Sequence, residues 1–294
     1  MPVSMRGASV AGLYLFISLL FGSLLAEILY EFLPYPFDRI LTRSVLLVMA
    51  LLLVPLSRIV FVETSGLIPL KGFAREFLGS FVIGLVILMI PVFAFLLMDL
   101  RDLDFVMDID PAFIFPYLLV GVLVAGLIAL FEEVLFRGFL YGALRNKHGQ
   151  LSAIILSSGL YSCAHFLKPL EKTQYTPGWS AGFNYLGDSL DNALSFDQQW
   201  DARLSLMLLG CFFCLIRNRL GLFWCIGFHA AFVFGITLTR ELTSVNFQSD
   251  FLVLISSYNE FIGHFVSGWL LLLIGLLYWI SSVSTDVFRR FRVN

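Results

Sequence analysis

Two adjacent carboxylates and an arginine stand in an otherwise apolar run, Phe131-Glu132-Glu133-Val134-Leu135-Phe136-Arg137-Gly138. An uncompensated charge at hydrocarbon depth costs about 2.5 to 3.5 kcal/mol even on lenient insertion scales, so such residues are kept where they pair or do chemistry. Glu133 and Arg137 are four residues apart, which puts them on one helix face in the order that favours an ion pair. Glu132 is turned about 100° from Glu133. One carboxylate is then held by the arginine while the other stays available for chemistry. With a single arginine for two glutamates, mere charge neutralisation accounts for only half of the pair.

Two histidines sit in later apolar runs, His165 in Tyr161-Ser162-Cys163-Ala164-His165-Phe166 and His229 in Gly227-Phe228-His229-Ala230-Ala231-Phe232. One glutamate with two histidines supports two routes. Glu132, His165 and His229 can bind Zn2+ and leave a position open for water. Alternatively, the carboxylate can act directly as general base on water while a histidine stabilises the oxyanion. Both routes end in hydrolysis.

These residues need a membrane-spanning frame. The chain is 59% hydrophobic and 14% charged over 294 residues, more apolar surface than a soluble domain of this size can hide. A spanning helix takes about 20 apolar residues. Candidates lie near 8–28, 41–60, 77–98, 113–146, 150–166, 204–216, 220–238 and 265–284, which predicts an all-α, polytopic membrane helical bundle of about eight transmembrane helices, in one membrane domain over 1–294. The sixth segment is short, and either extends back toward Trp200 or is a broken helix. The first leads into Glu27 and Glu31 without a small-residue cleavage site, which predicts a retained helix.

Helix arithmetic brings two of the residues together. Glu132 lies 16 residues before His148, in the turn between the fourth and fifth segments, and His165 lies 17 after it. At 1.5 Å per residue both sit about 25 Å from that turn, so an antiparallel hairpin sets them at one depth. His229 is only ten residues past Arg219 and is expected to be shallower, at about 15 Å, unless that short turn is itself recessed into the bundle.

With the N-terminus inside, 12 of the 19 Lys and Arg residues fall on the cytoplasmic side, which predicts that both termini are cytoplasmic. The His148 turn is then inside, and Glu132 and His165 lie beyond the midplane. The stretch 167–203 is the one long loop; its Trp179, Phe183, Tyr185 and Trp200 suit an interfacial anchor or a lid. Cys163, Cys211, Cys214 and Cys225 lie in apolar stretches and read as packing residues, Cys211-x-x-Cys214 included. His148 and His264 read as interfacial. A net charge of −2 without a basic run excludes a nucleic-acid partner. A transporter would show a second copy of the glutamate motif in a related half, and none is present.

Glu132-Glu133-x-x-x-Arg137, then Tyr161-x-x-x-His165, then His229, resembles the three ordered motifs of the CPBP intramembrane protease family, which includes type II CAAX prenyl endopeptidases and the Abi bacteriocin-immunity proteins. The resemblance covers about residues 113–238. It implies an intramembrane endopeptidase, an integral protein of the bacterial plasma membrane, acting on a membrane-associated protein or peptide. Glu132 is implied as the water-activating carboxylate and His165 as its partner on the water. His229 is implied as an oxyanion or metal contact, with Glu133 and Arg137 as supporting groups. Two positions depart from the pattern: Tyr161 stands where the family usually has Phe, and Val233 where prenyl proteases have Asn or Asp. Valine neither donates to an oxyanion nor binds metal, so a non-catalytic immunity or binding protein is the alternative.

Overall fold

Lipid offers no partner for a backbone N–H or C=O, and a helix satisfies both within its own segment. The computed structural model, which describes residues 3–60, 72–104, 111–169, 175–196 and 199–291, is helical almost throughout. In chain order the elements are α1 (Val3–Tyr30), α2 (Phe37–Val60), α3 (Phe73–Leu97), β1 (Arg101–Leu103), α4 (Pro111–Glu133), a π-helical stretch (Val134–Leu140), α5 (Tyr141–His148), α6 (Gln150–His165), α7 (Ala181–Leu194), α8 (Trp200–Arg219), α9 (Leu222–Leu242), β2 (Thr243–Val245), a short 3-10 turn and α10 (His264–Phe291).

All eight apolar segments expected from hydropathy fall on helices. Among the described residues, four stretches are long and apolar enough to cross a membrane: Leu13–Tyr30, Phe73–Leu97, Ile114–His148 and Leu222–Leu242. Helix α6 has 16 residues, and the apolar part of α10, His264–Ile280, is likewise shorter than a full span. Of the two options for the sixth segment, α8 takes the first and starts at Trp200.

Two elements were not expected. The stretch 167–203 contains α7, whose Gly, Ser, Asn and Asp residues disguise an amphipathic helix. A two-stranded antiparallel ribbon pairs Arg101 with Val245 and Leu103 with Thr243. Strands of three residues carry no usable alternation, so hydropathy does not reveal them.

The chain forms two compact units, Met1–Glu63 with Cys163–Phe196, and Thr64–Ser162 with Asp197–Asn294. In the first, Ala26, Phe37, Ile40, Leu41 and Ala181 form the core. The Gly182 N–H donates to Ser23 Oγ at 2.8 Å and ties α7 to α1.

In the second unit α9 is the central helix, packed by α3, α4 and α8. Its contact with α3 is close because Gly227 has no Cβ, and a methyl there would collide with Ser80 Oγ and the Phe77 carbonyl. Small residues at a membrane helix contact let backbones approach in this way. Gly227→Ala is therefore expected to destabilise the protein by about 1–3 kcal/mol through overpacking, read as a lower melting temperature of the detergent-solubilised chain. The turn from α5 to α6 is made at Gly149, whose φ of +82° suits glycine and whose N–H donates to the Arg145 carbonyl at 3.0 Å.

Candidate active site in the second unit

The helix that carries the glutamates changes its winding at the site. After Glu133, α4 continues without a break into the π-helical Val134–Leu140, and α-helical winding resumes at Tyr141. Such π stretches are short interruptions of α-helices and are frequent at functional sites. The wider winding keeps Arg137 on the face of Glu133, and its Nη1 lies 3.1 Å from Glu133 Oε1.

Glu133 has a second partner. His229 donates from Nδ1 to the same oxygen, Glu133 Oε1, at 2.7 Å. That bond fixes the ring, and its other nitrogen, Nε2, lies 3.8 Å from Glu132 Oε2. Glu133 is thus shared by a guanidinium and an imidazole, and His229 spans both glutamates.

Aromatic rings complete the enclosure. The Arg137 guanidinium carbon lies 4.1 Å from the centre of the Tyr161 ring and 5.1 Å from that of Phe213. Arg137 Nη2 has no hydrogen-bond acceptor among the described residues, and ring faces cover the cation instead. The His229 ring stacks on Phe213, centroids 5.1 Å apart and planes 21° from parallel. Tyr161 meets it edge-on at 6.3 Å.

Burial divides the two carboxylates. Glu133 is wholly enclosed, with Arg137 and His229 almost so, whereas 27% of the Glu132 side chain is accessible. A buried charge is retained only with partners, and Glu133 has two. Of the two, Glu132 is the more accessible, although its Oε2, the oxygen nearest His229, is enclosed.

The structure thus brings together Glu132, Glu133, Arg137 and His229. Two expectations change. Glu133 and Arg137 are partners, as their spacing predicted, but not exclusive ones. His229 is not left shallow of the glutamates: its ring bonds Glu133 directly, so the count from Arg219 overstated the difference in depth. His165 ends α6, one turn after Tyr161; it is half-buried and belongs to the first unit. Val233 lies one turn after His229 on α9 and is half-buried. All four cysteines are free thiols; Cys214 is buried 3.4 Å from Ser157 Oγ, and the Cys225 thiol donates to the Phe213 carbonyl at 3.3 Å. His264 starts α10 against Trp200, with centroids 4.8 Å apart.

Sequence patterns did not reveal Phe213, on which both His229 and Arg137 rest, because one phenylalanine among 31 carries no positional signal. Nor did they reveal Tyr258, whose phenol interacts electrostatically with the Glu132 carboxylate.

The fit of a zinc ion follows from the donors. Among the described residues, no three His, Cys, Asp or Glu side chains are placed to hold a metal ion. His229 Nδ1 is committed to Glu133, leaving Nε2 and Glu132 as two donors where a catalytic zinc takes three protein ligands. Within the second unit, then, the donors do not complete the three-ligand set of a catalytic zinc.

No curated protein and no solved structure matches the chain. One family model does, over residues 111–235, the stretch that supplies Glu132, Glu133, Arg137, Tyr161 and His229. That model describes the type II CAAX prenyl endopeptidase Rce1-like proteins, a protease family, and residues 111–235 of this integral membrane protein are similar to it.

Proposed function

We propose that the protein is an intramembrane endopeptidase that hydrolyses a peptide bond in a membrane-associated protein or peptide, with Glu132 and His165 activating the attacking water. The observation that carries the proposal is the division of labour between the glutamates: Glu133 is locked by Arg137 and His229, and Glu132 is accessible beside the free edge of the same imidazole. Glu132 takes a proton from water as the oxygen attacks the scissile carbonyl, and delivers it to the amine as the C–N bond breaks. His165 enters from its register with Glu132 about the His148 turn and from the family motif. His229, held by Glu133, directs Nε2 toward the reacting centre.

The test is cleavage of an internally quenched peptide ending in a prenyl-cysteine tail by the full chain in proteoliposomes. His165→Ala and Glu132→Gln are expected to remove it, and cleavage by both variants would sink the mechanism. Because the donors within the second unit do not complete a zinc site, a chelator such as 1,10-phenanthroline is expected to leave the rate unchanged. Loss of activity on chelation, restored by added Zn2+, would return the step to a metal-bound water. A non-catalytic binding protein is the second reading, favoured by Val233, which supplies no donor one turn beyond His229; it requires a phenotype insensitive to Glu132→Gln.

A further inference from the structure

Helix α7, in the first unit, has three faces where a surface helix of a water-soluble protein has two. At about 100° per residue, Ala181, Gly182, Ser189, Asn192 and Ala193 fall in one arc, and all five are buried. A second arc holds Phe183, Leu186, Leu190 and Leu194; the first two are half-buried and the last two exposed, Leu194 by 65%. The third arc holds Asn184, Asp188 and Asp191, all exposed. The pattern is inverted for a helix between protein and water, since small and polar residues face the protein while leucines face out.

The buried arc is fitted to its neighbours and leaves no polar group stranded. Gly182 lies so close to α1 that a Cβ would collide with Ser23 Oγ, which instead accepts the Gly182 N–H at 2.8 Å. Ser189 Oγ donates to the Tyr185 carbonyl at 2.6 Å, and Asn192 Nδ2 to the Lys168 carbonyl at 2.9 Å. Tyr185 packs against the core of Phe37, Ile40 and Leu41. The exposed leucines are therefore a consequence of a specific seating of the helix.

Two observations say what covers the apolar arc. The first is continuity. The Phe183 ring meets that of Phe16 at 5.4 Å, and Phe16 belongs with Phe21 and Leu24 to the exposed apolar surface of α1. That helix is long and apolar enough over Leu13–Tyr30 to cross a membrane, so the arc on α7 extends a surface that faces acyl chains. The second is level. Ser23, which holds Gly182, lies four residues, about 6 Å, before Glu27, the first acidic residue of α1. A helix lying in the membrane surface buries its apolar face about 5–10 Å into the boundary between headgroups and acyl chains. Crossing is not open to α7, whose 14 residues reach about 21 Å against a hydrocarbon core of about 30 Å.

We propose that α7 lies in the plane of the membrane surface at the end of α1 marked by Glu27, with Leu186, Leu190 and Leu194 among the acyl chains and Asn184, Asp188 and Asp191 in water. Trp179, exposed just before the helix and in ring contact with Phe183 at 6.3 Å, places its indole at headgroup level. Phe196, exposed just after the helix, adds an apolar contact at the other end. The acidic row offers nothing to anionic headgroups, so apolar area and the seat on α1 hold the helix, and a neutral bilayer suffices. Of the two readings of 167–203, anchor or lid, α7 takes the first. The proposal stands apart from the endopeptidase assignment.

The experiment places a nitroxide label at Leu190→Cys, Leu194→Cys, Asp188→Cys and Asp191→Cys, one at a time, in the full chain with its four native cysteines replaced by alanine, in phosphatidylcholine vesicles. Collision with oxygen is compared with collision with a water-soluble nickel chelate. The labels at 190 and 194 are expected to meet oxygen more than nickel, at a depth of about 5–10 Å below the phosphates, and those at 188 and 191 to meet nickel more. Both rows in water, both rows at acyl depth, or leucine positions that neither reagent reaches because protein covers them, each overturns the proposal. A second measurement needs no substitution: the unaltered chain is irradiated in vesicles whose phosphatidylcholine carries a diazirine on the acyl chain. Adducts are expected on 186–194 as well as on 16–24 of α1. Labelling of 16–24 without 186–194 overturns the proposal whatever the labelled variants do.

Discussion

Glu132→Gln is expected to leave the protein folded and without peptidase activity. The substitution replaces a carboxylate by an amide of nearly the same shape, so steric effects on the accessible side of the site are small. What it removes is the ability to accept a proton from water and to return it to the leaving amine, for which an amide has no capacity. Loss of a general base alone costs about 100- to 10,000-fold. In the proposed mechanism the same group also serves as the acid, so the expected loss lies at the upper end of that range or beyond. The measurement is the rate of peptide cleavage in proteoliposomes, with the melting temperature of the purified variant recorded beside it. An inactive variant that melts near the parent separates chemistry from folding.

Arg137→Ala has its largest effect on stability. The guanidinium is enclosed with Glu133, 3.1 Å away, between the rings of Tyr161 and Phe213. Removing it leaves a buried carboxylate supported by His229 alone and opens a cavity between two aromatic faces. Breaking a buried pair from one side costs about 3–5 kcal/mol, because the remaining charge is uncompensated. Replacing both partners by apolar residues is far milder. The double variant Glu133→Leu with Arg137→Met is therefore expected to melt above Arg137→Ala, yet to stay inactive, because His229 loses the carboxylate that orients it. A double variant no more stable than Arg137→Ala would show that the pair is not the source of the loss.

The sequence-level expectations succeeded where the signal was local. Hydropathy located every apolar helix, and i, i+4 spacing found the Glu133–Arg137 pair. Expectations failed where position depended on winding or on distant packing. Nothing in Val134–Leu140 distinguishes a π turn from an α turn, and counting residues from the helix ends misjudged where His229 would stand relative to the glutamates. Helix α7 escaped because polar turn-forming residues make up half of it and interrupt its apolar stripe. Tyr258 lies 126 residues beyond Glu132, and no local pattern relates the two. Glu132, Glu133 and Arg137 were recognisable because charge in an apolar run is costly; Phe213 was not, because an aromatic residue there is ordinary.

The π stretch after Glu133 also has a bearing on how this chain tolerates changes in length. A π turn arises when a helix holds one residue more than its straight form accommodates, and it is kept despite poorer hydrogen bonding. Deleting a single residue between Gly138 and Tyr141 removes that surplus and lets the segment relax to uniform α winding, so that α5 keeps nearly its direction relative to α4. An insertion, with no wider turn left to absorb it, turns α5 by about 100° relative to α4. One-residue deletions here are thus expected to be tolerated better than one-residue insertions, and the surplus residue acts as slack between the two halves of the span.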